Sequence, residues 1–219
     1  MKVIVTGATG MVGEGVMHTC LLNDDIEEVL VIGRRSTEVK HPKLKEIILP
    51  DMFNLTPISS QLVGYDACYF CLGITSLGIS ADDYYRTTYT LTMHFGEILS
   101  KLNPQMTFCY ISGAGTDSTE KGPSRWARVK GKTENDLMKL PFRQVFAMRP
   151  GFIKPIEGMK RTNPLYKYVK WLFPIGRNLF PSGFCTLDEL SNAMIKLTQK
   201  GYPKNVIEGR DIIEIALNK

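Results

Sequence analysis

Short apolar runs recur along the first two thirds of the chain, and most of them stop at glycine or proline. Such nearly continuous runs are typical of parallel strands that are buried on both faces. They predict strands at residues 3–7, 28–33, 46–49, 67–73, 107–113 and 144–151.

Stretches with helical spacing separate these runs, at residues 11–22, 81–102 and 123–139, with a shorter element near 57–63. The alternation of strand and helix predicts an α/β fold, a doubly wound parallel sheet of the Rossmann type with helices on both faces. Ligands bind at the carboxyl ends of the strands in this architecture, so candidate site residues are expected there.

The pattern changes after the sixth run. Residues 158–183 are rich in proline, glycine, aromatic residues and cations, and only a short helix near 164–173 is expected in them. Thr186 and Glu189 then form a capping-box pattern, which predicts the start of an amphipathic helix that Gly201 ends.

The last run, DIIEIAL at residues 211–217, predicts a final strand that closes the chain. A length of 219 residues favours one domain. We therefore interpret residues 1–219 as a single domain, in which residues 151–205 form a small appendage on the substrate side.

A glycine-rich segment, TGATGMVGEG, follows the first predicted strand and opens the first predicted helix. In dinucleotide sites, glycines at this spacing make a tight turn, admit the pyrophosphate close to the backbone and let the helix pack on the strand. The helix N-terminus offers N–H groups and a positive dipole end to the phosphates. The segment predicts cofactor contacts from Gly7, Thr9, Gly10, Met11, Val12 and Gly13.

The second predicted strand ends in Gly33-Arg34-Arg35. A carboxylate at this place binds the ribose 2′-hydroxyl of NAD, whereas arginine accommodates the 2′-phosphate of NADP. Because two arginines and no acid follow the strand, we predict that NADP(H) is preferred over NAD(H). The competing interpretation is that both arginines are solvated loop charges.

The charge of the chain is modest, since 27 Lys and Arg face 22 Asp and Glu, and the net charge of +5 is spread along the sequence. A dedicated nucleic-acid binder concentrates more charge, so no nucleic acid is expected as a partner. The N-terminus has no signal-peptide pattern, and no apolar run reaches the roughly 18 residues of a spanning helix. These features predict a soluble, cytoplasmic protein.

Five cysteines without paired spacing suit reduced thiols. Cys68 and Cys71 form a CxxC pattern, but it falls in a predicted strand, where positions three apart face opposite sides. We therefore interpret both as small buried hydrophobic residues, and no metal site is predicted.

Later segments of the chain resemble the short-chain dehydrogenase/reductase superfamily, in its atypical and extended branches that include bacterial NAD-dependent epimerase-like proteins. The resemblance covers most of the chain and implies an oxidoreductase or epimerase-like enzyme that acts on a small molecule. The segments that carry it, in chain order after the glycine loop, are CLGIT (71–75), YISGAGTD (110–117), VKGKTE (129–134) and MRPGFI (148–153).

The resemblance also implies roles for residues at the strand ends. Ser112 matches the active-site serine that hydrogen-bonds the substrate carbonyl, and Lys130 matches the lysine that holds the nicotinamide ribose and activates a tyrosine. The further cofactor contacts it implies are Asp51 and Met52 near the adenine, Leu72 and Gly73 near the adenosine ribose, and Pro150 and Gly151 beside the nicotinamide.

One residue departs from the family motif, Tyr-x-x-x-Lys. Trp126 occupies the tyrosine position, four residues before Lys130 and on the same helix face. An indole N–H donates a hydrogen bond but does not titrate usefully, so the usual proton donor is missing.

Three consequences of this departure stay open. Hydride transfer could draw its proton from water, Ser112, Ser124 or Tyr110. The protein could catalyse a reaction that needs no phenol, with Trp126 stacking on a substrate. It could also bind its cofactor without turnover, as an NADP(H)-sensing regulatory protein that acts through a protein partner.

A basic and aromatic stretch runs from Lys160 to Arg177. We interpret it as a variable segment that closes over the substrate cleft with its cations facing solvent. The alternative is peripheral contact with an anionic membrane surface. The sequence does not indicate an oligomeric state.

Overall fold

A seven-stranded parallel sheet forms the centre of the protein, in the order β3-β2-β1-β4-β5-β6-β9. The structure is a computed structural model, and it describes residues 1–156, 158–159, 172–180 and 183–218. The doubly wound α/β fold predicted from the sequence is confirmed, and each predicted strand up to residue 151 overlaps an observed one. The sheet strands are β1 Lys2–Thr6, β2 Glu28–Gly33, β3 Leu44–Ile48, β4 Ala67–Phe70, β5 Thr107–Ile111, β6 Gln144–Arg149 and β9 Val206–Glu208.

Helices cover both faces of this sheet, at the positions that the helical spacing predicts up to residue 139. A π-helical turn, Arg86–Thr90, joins α2 to α3, so that they form the continuous helix predicted for 81–102. A 3-10 segment spans Thr56–Leu62. The described α-helices are α1 Met11–Leu22, α2 Ala81–Tyr85, α3 Leu91–Leu102, α4 Arg125–Leu137, α5 Leu172–Leu179, α6 Leu187–Lys200 and α7 Gly209–Leu217.

Two apolar cores lie on the two faces of the sheet, as expected when parallel strands are buried on both sides. The core on the α1 and α6 side includes Val5 and Leu190, and the core on the α3 side includes Ile4 and Phe95. Cys68 belongs to the α3-side core and Cys71 packs against the other one. The prediction that these two cysteines face opposite sides is confirmed.

The prediction of a final strand at residues 211–217 is wrong, because this run forms helix α7. The last strand is the shorter β9 before it, which pairs with β6. Glu208 and Asp211 form a capping box that starts the helix, and Ile212 and Ile215, three residues apart, are buried on one of its sides. The isoleucine-rich run fits the periodicity of a strand as well as that of a helix, and the capping residues favour the helix.

The predicted helix after Thr186 is confirmed with its capping box, in which Thr186 and Glu189 exchange hydrogen bonds, and Gly201 ends it. A small second sheet pairs β7, Phe152–Lys154, with β8, Phe184–Thr186. The helix expected near 164–173 and most of the basic stretch 160–177 lie outside the described residues. That residues 151–205 form an appendage on the substrate side of a single domain stays a prediction. No described helix is both long and apolar enough to cross a membrane.

The order of the strands places a crevice beside β1. The chain runs from β1 outward through β2 and β3, then returns to the other side of β1 to form β4. In doubly wound sheets ligands bind at such a reversal, beyond the carboxyl ends of the strands. The glycine-rich segment that follows β1 lies at this crevice.

Candidate functional site

The glycine loop is fixed by contacts between backbones. Gly7 has a φ of 70°, and a Cβ there would lie 2.7 Å from the carbonyl oxygen of Cys71, in the loop after β4. A Cβ on Gly13 would lie 2.2 Å from the carbonyl oxygen of Gly7. The first contact joins two loops across the crevice, and the second packs α1 against the turn that precedes it.

The N-terminus of α1 faces the crevice without a side-chain cap. Gly10 is the N-cap residue, and its N–H donates to the Gly7 carbonyl over 2.9 Å. Gly10 has no side chain, so it makes no side-chain capping hydrogen bond. This geometry suits an anionic group, because amide hydrogens and the positive end of the helix dipole both favour it.

Arg34 and Arg35 lie on the rim of the same crevice. Both are exposed, and both line a cleft with Gly7, Thr9, Met52 and Leu72. Within the part of the chain that the structure describes, neither guanidinium has an ion-pair partner. Among the described residues no carboxylate pairs with the two arginines, which stand beside the glycine loop.

One acidic group that contacts this loop is engaged within the protein. Glu46, on β3, accepts hydrogen bonds from the Ser36 hydroxyl and from the backbone and hydroxyl of Thr37, at 2.7–2.8 Å. Burial opposes its ionisation, but these hydrogen bonds hold the pKa of Glu46 below its ordinary value. The carboxylate thus anchors the loop that presents the arginines.

The other residues assigned to the cofactor are distributed along the carboxyl edge of the sheet. Met52 is buried in the cleft wall, whereas Asp51 is exposed and accepts a hydrogen bond from the Phe53 amide. Gly73 is open to solvent, with nothing near its Cβ position. Pro150 is buried beside Gly151, where a Cβ would collide with the backbone of Gly183.

Ser112 follows β5 and contacts Thr116 through their hydroxyls. Its oxygen lies 3.0 Å from the Thr116 hydroxyl oxygen, which also lies 2.8 Å from the Gly113 carbonyl oxygen, to which it can donate. Either hydroxyl can be the donor between Ser112 and Thr116. When Thr116 donates to it, Ser112 keeps its own proton to donate to the oxygen of a ligand.

Lys130 lies beneath the same loop. Its ammonium donates to the carbonyl oxygens of Ile111 and Ser112, at 3.2 and 3.1 Å, and lies 5.3 Å from the centre of the Tyr110 ring. Burial lowers the pKa of Lys130 to about 8, and the nearby Glu134 carboxylate offsets this only in part. Lys130 is therefore a cation whose charge is easily lost.

Trp126 occupies the first turn of α4 and is half-buried. A Cβ on Gly115 would lie 3.6 Å from the edge of its indole ring, so the ring borders the loop after β5. Trp126 and Lys130 thus both face this loop, as their spacing predicts. Of the neighbouring cations, Arg128 also contacts this loop, by donating to the Gly122 carbonyl, whereas Lys132 pairs with Asp136 on its own helix.

The structure narrows the choice of a substitute proton donor. The Tyr110 hydroxyl is fully buried, and burial raises the pKa of Tyr110 well above its ordinary value. Ser124 is the N-cap residue of α4, and its side chain makes no capping hydrogen bond. Tyr110 is therefore a poor proton source, while Ser112 and Ser124 keep hydroxyls at the loop.

A buried ion pair supports this end of the site. The Arg149 guanidinium contacts both carboxylate oxygens of Glu134, and it also binds the Ser118 hydroxyl and Glu208. The network joins α4, the end of β6, the loop after β5 and β9. Sequence reasoning did not assign Glu134, Arg149 or Thr116, although a glutamate four residues after Lys130 was a visible signal.

The fold and the site can now be compared with known proteins. The model of the NAD dependent epimerase/dehydratase family matches residues 3–125, more than half of the chain. The chain belongs to this family. The matched range includes the glycine loop, both arginines and Ser112, and it ends one residue before Trp126.

Solved structures of the family's fold are similar over nearly the whole chain. WbmF of Bordetella bronchiseptica, in complex with NAD+, has a TM-score of 0.68 at 17% identity, covering 98% of this chain and 76% of its own. UDP-glucuronic acid 4-epimerase of Bacillus cereus, in complex with UDP-glucuronic acid and NAD, has a TM-score of 0.66 at 18% identity, covering 99% and 82%. At these identities the likeness establishes the fold.

Curated relatives in fungi carry the name Protein FMP52, mitochondrial. The protein of Meyerozyma guilliermondii is 24% identical over 156 residues, 70% of this chain and 65% of its own length. That of Emericella nidulans is 25% identical over 179 residues, 73% of each. The chain covers slightly less than two thirds of the full length of the first of these fungal relatives. The prediction of a cytoplasmic protein is wrong by this comparison, because the relatives are named as mitochondrial.

Proposed function

We propose that this family member binds NADP(H) in preference to NAD(H) and acts as an oxidoreductase or epimerase-like enzyme on a small molecule. The observation that carries the cofactor choice is the pair Arg34 and Arg35, exposed on the rim of the glycine-loop cleft. Their local carboxylate, Glu46, is occupied by Ser36 and Thr37. The solved relatives named above hold NAD, so the preference is a point of difference that can be measured.

The residues of the glycine-loop cleft fit a dinucleotide cofactor that carries a 2′-phosphate. The bound cofactor would supply or accept a hydride, and the residues of the chain would hold and orient the cofactor and the substrate. The glycine loop and the α1 N-terminus would hold the pyrophosphate, Arg34 and Arg35 the 2′-phosphate, and Lys130 the nicotinamide ribose. Ser112 would orient the reacting group of the substrate.

Titration of the protein with NADPH and NADH tests the cofactor preference. We expect tighter binding of NADPH, and we expect the double variant Arg34→Ser/Arg35→Ser to lose it, by about tenfold or more, since hydrogen bonds to charged groups contribute roughly 1.5–3 kcal/mol. Lys40→Ser is the control, because Lys40 is an exposed cation on the same β2–β3 segment outside the cleft lining. Equal affinities, or tighter NADH, would contradict the proposal.

The presence of Trp126 favours a second candidate function. In it, the chain is a regulatory protein that binds NADP(H) without turnover and acts through a partner. An absent general acid costs about a hundredfold to ten-thousandfold in rate, which still leaves room for slow catalysis. Trp126→Tyr restores the phenol and should create or raise NADPH-linked turnover in a screen of carbonyl compounds and alcohols. Trp126→Phe is the control, since it removes the indole N–H without adding a titratable group.

The outcomes separate the two candidates. Turnover by the wild-type protein, raised further in Trp126→Tyr, supports an enzyme that uses a weaker proton source. Tight NADPH binding without turnover in either form supports the regulatory protein instead.

A further inference from the structure

A second cavity, of about 410 Å³, lies beside the glycine loop on the α1 side of the sheet. Small-molecule sites in proteins have volumes of roughly 300–1,000 Å³. Helix α1, the segment between β2 and β3, and residues 156, 158 and 159 after β7 form its walls. Of the described residues that line the cofactor cleft, only Ala8 also lines this cavity. The cavity is therefore a separate space, which the proposed function does not use.

Most of the cavity wall is apolar. Met17 of α1, Val39 of the segment before β3, and Ile156 and Met159 after β7 line it. The same four side chains belong to the α1-side core or pack against it. Leu22, which is 80% exposed, also lines the cavity, so one side of it opens to solvent. Apolar walls of this kind bind the hydrocarbon part of a ligand.

One acidic side chain borders this apolar space. Glu14 is only 6% exposed and lies in the first turn of α1, where the helix dipole favours a carboxylate. His18, four residues later, lines the same cavity, as expected for two residues on one helix face. Glu14 also interacts within the protein. A carboxylate has about four lone-pair sites, so it can accept a hydrogen bond from a ligand in addition.

A ligand for this cavity needs an apolar body and a group that suits a buried carboxylate. None of the described lining residues is a lysine or an arginine. We propose that the cavity binds a small apolar amine, whose ammonium group donates to Glu14 and whose hydrocarbon part contacts Met17, Val39 and Ile156. Hydrogen bonds between ionised groups are roughly twice as strong as those between neutral groups, so the site should distinguish an amine from the corresponding alcohol.

A cation of the chain itself is the competing occupant of this position. Lys160 and Arg161 directly follow Met159 in the sequence and lie outside the described residues. A side chain that placed its charge against Glu14 would exclude an amine. The wild-type protein would then bind no amine, and a variant without these two cations would.

Three ligands of similar size test the inference: 2-phenylethylamine, 2-phenylethanol and phenylacetate. Each is titrated against the protein by calorimetry or ligand-observed NMR. We expect the amine to bind about tenfold more tightly than the alcohol, as for a hydrogen bond between charged groups, and phenylacetate not to bind. Methylamine carries the charge without the hydrocarbon and should bind about a hundredfold more weakly than 2-phenylethylamine, or less. The amine should also bind the NADPH-saturated protein, because the two cavities share only Ala8.

Glu14→Gln tests the acidic group. The variant should lose the preference for the amine and keep the wild-type affinity for 2-phenylethanol, which also shows that the cavity is intact. Asp24→Asn is the matched control, because Asp24 is an exposed carboxylate just beyond α1 and outside the cavity lining. The control should keep the preference.

Val39→Trp tests the apolar wall. The larger side chain should fill part of the cavity and abolish binding of both the amine and the alcohol. Lys40→Trp is the matched control, since Lys40 is the next residue, is exposed and lies outside the lining. The control should bind both ligands as the wild type does.

Each remaining result has a definite meaning. The inference is overturned if the amine binds no more tightly than the alcohol, or if NADPH displaces it, since the amine then occupies the cofactor cleft. It is also overturned if the amine binds only to Lys160→Met/Arg161→Met, because the cation at Glu14 is then the chain's own. Failure of both NADPH and NADP+ to bind would overturn the proposed function alone, since the amine titration needs no cofactor.

Discussion

The cofactor end of the cleft and its substrate end are built by different means. At the cofactor end, from the glycine loop to Arg35, glycines are required because backbone atoms meet backbone atoms, as at Gly13 against the Gly7 carbonyl. At the substrate end, from Ser112 to Lys130, the candidate groups are side chains, although this loop too is held by a backbone contact, since a Cβ on Gly131 would lie 1.8 Å from the Asp117 carbonyl oxygen. Backbone contacts of this kind restrict substitution, whereas side-chain contacts allow chemistry to change on a constant fold.

The range matched by the family model, residues 3–125, covers the cofactor end and the substrate end as far as Arg125. Trp126, the next residue, is the position at which the resemblance implies a departure from the Tyr-x-x-x-Lys motif. Variants at the two ends should accordingly fail in different ways.

Gly13→Ala should have the largest effect and should affect both stability and cofactor binding. Its Cβ would lie 2.2 Å from the Gly7 carbonyl oxygen, so the helix or the loop must move. We expect a loss of about 3 kcal/mol, at the upper end of overpacking costs, together with loss of NADPH binding. Urea denaturation and NADPH titration measure the two effects.

Gly73→Ala is the matched control, since nothing lies within 4 Å of its Cβ position. Its stability should stay within about 0.5 kcal/mol of the wild type, as for surface substitutions. A Gly13→Ala protein as stable as Gly73→Ala would show that backbone contact does not determine the cofactor end.

Glu134→Gln should lower stability by a comparable amount, at the substrate end. It leaves the Arg149 guanidinium buried with only the half-exposed Glu208 carboxylate to balance it. Removal of one partner of a buried pair costs about 3 kcal/mol or more. Urea denaturation should show this loss, and the double variant Glu134→Gln/Arg149→Met should be less unstable than the sum of its single variants. Additive losses would mean that the pair is not coupled.

The fold was predictable because its signals are local and repeated. Apolar runs of strand length that alternate with stretches of 3.6-residue periodicity indicate a parallel sheet with helices, whichever apolar residues they contain. The helix at 209–217 was missed because Ile212, Ile213 and Ile215 suit either period, and the capping pair of Glu208 and Asp211 had to be weighed against them. Where two periods fit, the cap carries the decision.

The site was predictable only in part. The glycine loop could be recognised because its glycine spacing follows a strand and opens a helix. The link from Arg149 to Glu134 crosses from β6 to α4, and the hydroxyl of Thr116 reaches that of Ser112 only in the folded loop. These contacts are made by common residue types at no characteristic spacing, so the sequence alone did not single them out.

Lys130 should give the substrate end a distinctive dependence on pH. Its pKa is lowered by burial from the ordinary 10.5 to about 8, so between these values the unfolded chain binds more protons than the folded one. Stability should therefore rise with pH across this window, whereas below pH 8 the cost of the buried charge is fully present.

The measurement compares the wild type with Lys130→Met at about pH 7.5 and about pH 10. Groups shared by both proteins cancel, and the wild type should gain about 2 kcal/mol relative to the variant, because lowering the pKa from 10.5 to about 8 is worth about 3.4 kcal/mol over the complete titration and the interval from pH 7.5 to pH 10 covers most of it. A difference that does not change with pH would mean that Lys130 titrates as an exposed lysine does.

Thr116→Val should have the smallest effect and separates the two ends most directly. The Ser112 hydroxyl loses its hydrogen-bond partner, so we expect a loss of about 1 kcal/mol in urea denaturation, as for one hydrogen bond. Thr116→Ser keeps an oxygen at this position and should restore most of the stability. NADPH affinity should remain within about twofold of the wild type in both variants, because the free energy of binding should change by less than about 0.5 kcal/mol at a site away from the altered contact. If Thr116→Val weakened NADPH binding as strongly as it weakened the fold, the cofactor end would depend on the hydroxyl network of the substrate end, and the two could not have diverged separately.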